Sequence, residues 1–171
     1  MKKYEFTGET KEIRLLFRTA TLHRIRATVA FGIVEVGDLG GWIEKEENLS
    51  HEGKAWVWGN AKVWGNAKVW GNAEVCGDAK VWGNAEVFSA SHVLVIGAIG
   101  SRNDFTTFYR DKDNEITVKC GCFLGKIDRF LEKVTQTHGD SKYALVYRAA
   151  VEVAKLQIDL SGEAPKDADE E

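Results

Sequence analysis

The residues best suited to chemistry lie in the C-terminal third. Arg102, within Ser101-Arg102-Asn103-Asp104, carries a planar guanidinium that matches phosphate or carboxylate. The segment sits where an apolar run, Val93 to Gly97, gives way to alternating residues, a natural crevice. Lys119, His138 and Tyr143 are expected to complete an anion-and-ring pocket with Arg102, Asn103 and Asp104, and Arg110 to contribute from outside. The glycine-rich Gly121 to Gly125 turn, just before a helix start, adds backbone N–H groups suited to an anion. The competing reading is structural: Arg102 and Asp104 pair locally and His138 merely ends a helix.

Cys120-Gly121-Cys122 raises a metal site. On an extended strand both sulfurs share a face, but the spacing is not that of a zinc ribbon, and no second pair exists. The cysteines read as small apolar residues. No metal or cofactor is expected. Arg14, Arg18, His23, Arg24 and Arg26 form a basic cluster, read as a solvated strand face rather than an anion site.

These residues need elements to position them. Phe105 to Arg110 and Glu115 to Phe123 alternate as strands. Ile127, Phe130, Leu131 and Val134 have helical spacing, and the run stops at His138-Gly139, glycine being a natural C-cap. Asp140 or Ser141 caps a second helix whose apolar face carries Tyr143, Tyr147, Ala150, Val151, Ala154 and Ile158. Residues 98–160 are therefore read as a ββαα module, and residues 161–171, acidic and holding the only proline, as a disordered tail.

Upstream, one six-residue phrase dominates. Val57-Trp58-Gly59-Asn60-Ala61-Lys62 recurs through Val63, Val69, Val75 and Val81, and decays at Val87-Phe88-Ser89. Ala and Val stand two apart and share one face of an extended chain, with Lys or Glu and Trp on the other. Gly-Asn supplies the bend. A meander of such short strands buries little, whereas a coil of three hexads per turn stacks identical faces into a Val and Ala interior. At eighteen residues per turn Trp64 stacks under Trp82, and Trp70 under Phe88. Ile43, Leu49 and Ala55 are expected to continue the alanine column, giving about three coils over residues 43–97. Residues 1–42, with strands at Glu12–Phe17, Thr21–Ala30 and Val34–Val36, are read as a β cap, because an end coil cannot leave its core open.

The hexads resemble the repeat of left-handed parallel β-helices, in which an aliphatic residue and a small residue two places earlier fill a triangular prism. The resemblance implies left-handed winding and trimeric assembly, so the fold class is expected to be mainly β: a short left-handed β-helix with a β cap and an α+β module. Trp58, Trp64, Trp70, Trp82 and Phe88 line the outer faces and are expected between protomers of a homotrimer, although plain ladder stacking accounts for them too. Many proteins of this kind are acyltransferases. Here His51 and His92 flank the repeat and residues 53–88 hold no inserted loop, so a non-enzymatic role is preferred.

"GDLGGWIEKEENLSHEG" before the runs of "VWGNA", with "IGSRNDFTTFYR", "VKCGCFLG" and "THGDSKYA", is similar to hexapeptide-repeat proteins of bacteriophages and prophages. The resemblance implies a phage-type origin and the fold more than an activity; phage origin together with Arg102, Lys119 and His138 leads to the expectation of a host-cytoplasmic binding protein that sequesters a small anionic, nucleotide-like signal of host defence. The alternative is a scaffold whose Trp faces dock a host protein. A net charge of −3 over 171 residues does not suggest a nucleic-acid surface, so no nucleic-acid partner is expected. No apolar run suggests a membrane partner or secretion signal.

Overall fold

A computed structural model describes residues 1–15 and 17–161. The elements in chain order are β1 (Tyr4–Arg14), β2 (Thr19–Ala27), β3 (Leu39–Ile43), β4 (Trp56–Val57), β5 (Lys62–Val63), β6 (Lys68–Val69), β7 (Glu74–Val75), β8 (Lys80–Val81), β9 (Glu86–Val87), β10 (Val93–Ile99), β11 (Asp104–Arg110), β12 (Ile116–Cys120), β13 (Phe123–Lys126), α1 (Ile127–His138) and α2 (Lys142–Gln157). The protein is mainly β, with several sheets and a C-terminal two-helix module, and no barrel closes among the described residues.

Each hexad yields a two-residue strand, because Gly-Asn turns the chain before a third residue can pair. Trp56–Val57 lies parallel to Glu74–Val75, Lys62–Val63 to Lys80–Val81, and Lys68–Val69 to Glu86–Val87, each pair eighteen residues apart. The chain thus visits three separate ladders in turn and returns to each after three hexads. Val57, Val63, Val75, Val81 and Val87 and the alanines two places before them are buried in one core. The corners hold glycine in the left-handed region, φ 54° at Gly59 and 70° at Gly65, where a Cβ would be strained. Trp64 and Trp82 stack with ring centroids 5.9 Å apart and Trp70 lies 5.2 Å from Phe88, as the eighteen-residue period requires.

The first turn departs from the expected column. Ile43 pairs with Val63 and Leu49 bridges to Val69, so both continue the valine column and not the alanine one. These spacings are twenty residues, because the segment between Leu49 and Val57 carries two extra residues.

The N-terminal segment closes this turn. Its first two strands begin earlier than expected, β1 by eight residues and β2 by two; they form one antiparallel hairpin, Val34–Val36 lies outside the strands, and the third strand is β3. β3 pairs antiparallel with β2 on one side and parallel with β5 on the other, so hairpin and coil share one sheet of order β1-β2-β3-β5-β8. Carbonyls of the first turn find donors in the N-terminal residues: Lys3 Nζ reaches Ala55 O at 2.8 Å, and Tyr4 Oη reaches Leu49 O at 2.8 Å. Burial holds the Lys3 ammonium down at about 8, against the opposing pull of Glu52.

At the other end Val93–Ile99 is itself a strand, so the C-terminal module is a four-stranded antiparallel sheet, β10-β11-β12-β13, with two helices, and not a ββαα unit. Alternate residues of β11 divide the labour. Phe108 packs beneath the helices, while Tyr109 faces the coil and donates to Trp82 O at 2.6 Å. Residues 162–171, the bulk of the expected tail, lie outside the described residues.

Candidate functional site

A crevice of about 210 Å³ opens between the β12–β13 turn and the two helices, lined by Ser101, Arg102, Cys120, Phe123, Lys133, His138 and Tyr147, among others. Gly121-Cys122 is a two-residue hairpin turn, since Cys120 pairs with Phe123. This corrects the single-strand reading that placed both sulfurs on one face. Gly121 sits at φ 54°, and the Arg102 guanidinium lies over it, so close that a Cβ on Gly121 would be 2.9 Å from Nη1. Arg102 is thereby brought to the rim of the crevice from a solvent-exposed loop.

The opposite wall is helical. His138, in the last turn of α1, packs on Tyr147 of α2 with centroids 5.8 Å apart and nearly parallel rings. Phe130 meets Tyr147 edge-on at 5.6 Å and forms the apolar floor with Phe123. The Tyr147 hydroxyl is pushed up to about 12, by burial first and then by Cys120, so it stays a neutral donor and acceptor. Cys120 Sγ also accepts from Thr106 Oγ1 at 3.3 Å. One cationic fork, one phenol, one imidazole and an aromatic floor therefore converge on a space large enough for a single ring.

Of the expected site residues, Arg102 and His138 line the crevice. Asn103 occupies the adjoining turn at φ 48°, and Asp104 accepts from its neighbour Phe105 N at 2.7 Å, with Lys80 Nζ 3.9 Å away, in place of a pair with Arg102. Tyr143 lies 5.9 Å from His138 but 46% exposed, and Tyr147, one helical turn later, takes the place expected for it. Lys119 is on the sheet face opposite Cys120 and donates to Gly121 O; burial, then Lys80, lowers its pKa. Arg110 lies at the far end of β11, buried, over the Phe88 ring at 4.8 Å and 3.4 Å from His92 Nε2. It belongs to the joint between coil and helices. Parity along β12 was the available signal for Cys120 over Lys119, because Val118 and Cys120 must share a side.

The other candidates are absorbed by packing. His51 stacks on Tyr4 at 4.3 Å and accepts from Lys3 N at 3.1 Å, and His92 is buried. Three members of the basic cluster meet carboxylates, Arg26 with Glu5 at 2.6 Å, Arg24 with Glu9 at 3.4 Å and Arg18 with Glu44, while His23 stacks on Phe6 at 4.8 Å. Asp111, Asp113 and Glu115 converge as a cation site would, but the Lys126 ammonium sits among them, 2.6 Å from Glu115 Oε2.

The aromatic column is spent largely inside the chain. Trp64 is buried with Leu22 and Trp42 under the N-terminal hairpin, and Trp82 packs against that cluster, so their burial needs no second protomer. Trp58, Trp70 and Phe88 are half-buried. Among the described residues no helix is long and apolar enough to cross a membrane. The chain matches no protein-family model, and no curated protein is similar to it in sequence.

Proposed function

We propose that the protein is a non-enzymatic binding protein that takes a small ring carrying one anionic group in the crevice between Arg102 and Tyr147. The observation that carries this reading is the convergence of Arg102, His138 and the neutral Tyr147 hydroxyl over an aromatic floor. A volume of about 210 Å³ is below the usual size of a drug-like pocket, so it suits one base or one phosphate-bearing ring and not a whole dinucleotide. A nucleotide-like signal of host defence fits that class through the phage-type resemblance of the chain.

The finer architecture belongs to the same proposal. Parallel pairs eighteen residues apart support a β-helical coil as the platform of the module, and its left-handed winding rests on the resemblance of the hexads to left-handed parallel β-helices. A crystal structure winding to the right would overturn that handedness. For the ligand, calorimetric titration of the intact protein with nucleoside monophosphates, and with inorganic phosphate as a ring-free control, is the test. Heat with wild type, weakened at least tenfold in Arg102→Ala and in Tyr147→Phe, is expected. Silence from wild type with every nucleotide, or equal affinity in both variants, sinks the proposal.

A further inference from the structure

Helix α2 is apolar on two opposite faces. Its inner face, with Ala144, Tyr147, Val151 and Ala154, is buried against α1 and the sheet. Its outer face carries Leu145, Ala149, Val153 and Leu156, and three of these are large: Leu145 is 59% exposed, Val153 48% and Leu156 90%. At about 100° per residue these four side chains fall within about 80° of arc centred on Ala149. Helix α1 shows the usual alternative, with Asp128, Arg129, Glu132, Lys133 and Gln136 facing water. Arg148, Glu152, Lys155 and Gln157 lie on the flanks between the two faces, and the α2 stripe is a continuous patch of the kind that marks an interface.

We propose that the outer face of α2 is covered by α2 of a second copy, antiparallel, about a two-fold axis at Ala149. The stripe is its own complement, as an isologous contact demands. Leu145 and Val153 stand four residues either side of Ala149, so the axis sets Leu145 of each copy beside Val153 of the other. Lys142 and Leu156 stand seven residues either side, so the Lys142 stem lies along Leu156 of the second copy. The ammonium then reaches on toward Asp159 of that copy. Both ends of the contact thus match a cation with an anion. Ala149 at the crossing lets the axes approach to the short end of the 8–10 Å range. The chain's own last ten residues, Gly162 to Glu171, contain no large apolar side chain and cannot supply the cover.

The full chain, measured by sedimentation velocity with light scattering, is expected to contain an even number of copies. Leu145→Glu with Leu156→Glu should halve the mass while leaving the circular dichroism unchanged. In a background with the exposed Cys76 and Cys122 replaced by serine, Ala149→Cys should form a disulfide-linked pair on mild oxidation. Ala149→Cys combined with the two Glu substitutions should not. A wild-type mass of one chain, a mass unaffected by the Glu substitutions, or Ala149→Cys chains that stay unlinked would overturn the proposal.

Discussion

Gly65 lies directly under the indole of Trp82: a Cβ placed on it would stand 2.6 Å from Cδ1 and 2.7 Å from Nε1. The same corner one hexad earlier, Gly59, has a similar positive φ and nothing within 4 Å of such a Cβ. Two glycines in identical sequence surroundings therefore do different work. Gly59→Ala is expected to cost about 1 kcal/mol, the strain of a left-handed alanine. Gly65→Ala adds displacement of a stacked indole and should cost about 3 kcal/mol. Urea midpoints for the two variants separate the effects, and equal losses would show that the stack does not constrain the corner.

Asn48 is fully buried and serves as a rung of the coil. Its Nδ2 donates to Ala67 O at 2.8 Å and Gly65 O at 3.2 Å, and its Oδ1 accepts from Lys45 N at 3.0 Å. Asn48→Leu keeps the volume and strands these backbone groups away from water. A loss of about 2–4 kcal/mol is expected by chemical denaturation. A loss under about 0.5 kcal/mol would mean that water replaces the amide.

Protonation of two imidazoles sets an acid limit. Burial, then Arg110, lowers the pKa of His92, and burial lowers that of His51 despite Glu46 nearby. In the unfolded chain each titrates near 6.5. Between the folded and unfolded values only the unfolded state takes up the proton, so stability is full above about 6.5 and falls as pH drops below it. Urea midpoints should decline from about pH 7.5 to about 5.5, and His92→Gln should flatten part of that slope. A slope unchanged in His92→Gln would move the effect elsewhere.

Lys126 holds three carboxylates together. Asp111 is buried and accepts from Asp113 N at 3.0 Å, Glu115 N at 3.2 Å and Thr117 Oγ1 at 2.5 Å, with the Lys126 ammonium beside it. Lys126→Met leaves that charge without its cation, and about 1–2 kcal/mol should be lost, discounted for the partial exposure of the lysine. Adding Asp111→Asn should then cost less than it does in wild type. Additive losses in the double-mutant cycle would show that the two residues are not coupled.

The repeat was readable because one face of a two-residue strand is enough to assign inside and outside when the phrase recurs at a fixed period. Its first turn was not, because two extra residues after Leu49 leave no mark on the six-residue spacing of Ile43, Leu49 and Ala55. The candidate site was half legible. Residue type points to Arg102 and His138, which line the crevice, whereas strand parity turns Lys119 to the other face and helical phase sets Tyr147 rather than Tyr143 in its lining. The division between Arg102 and Arg110 could not be seen locally, since both flank the same strand and only its length separates them. The apolar run Val93 to Gly97 does not disclose strand β10, because nothing in so short an apolar stretch tells a buried linker from a sheet strand.

The coil is stoppered at both ends. Strand β2, Lys3 and Tyr4 occupy backbone groups of the first turn, and Tyr109, Thr107 and Lys112 occupy those of the last, where Lys112 N reaches Asn84 O at 3.0 Å and Lys80 N reaches Thr107 Oγ1 at 3.1 Å. An open stack of such turns would template the next molecule and grow into a fibre. With these hydrogen-bonding groups taken at both ends, the rod has a set length.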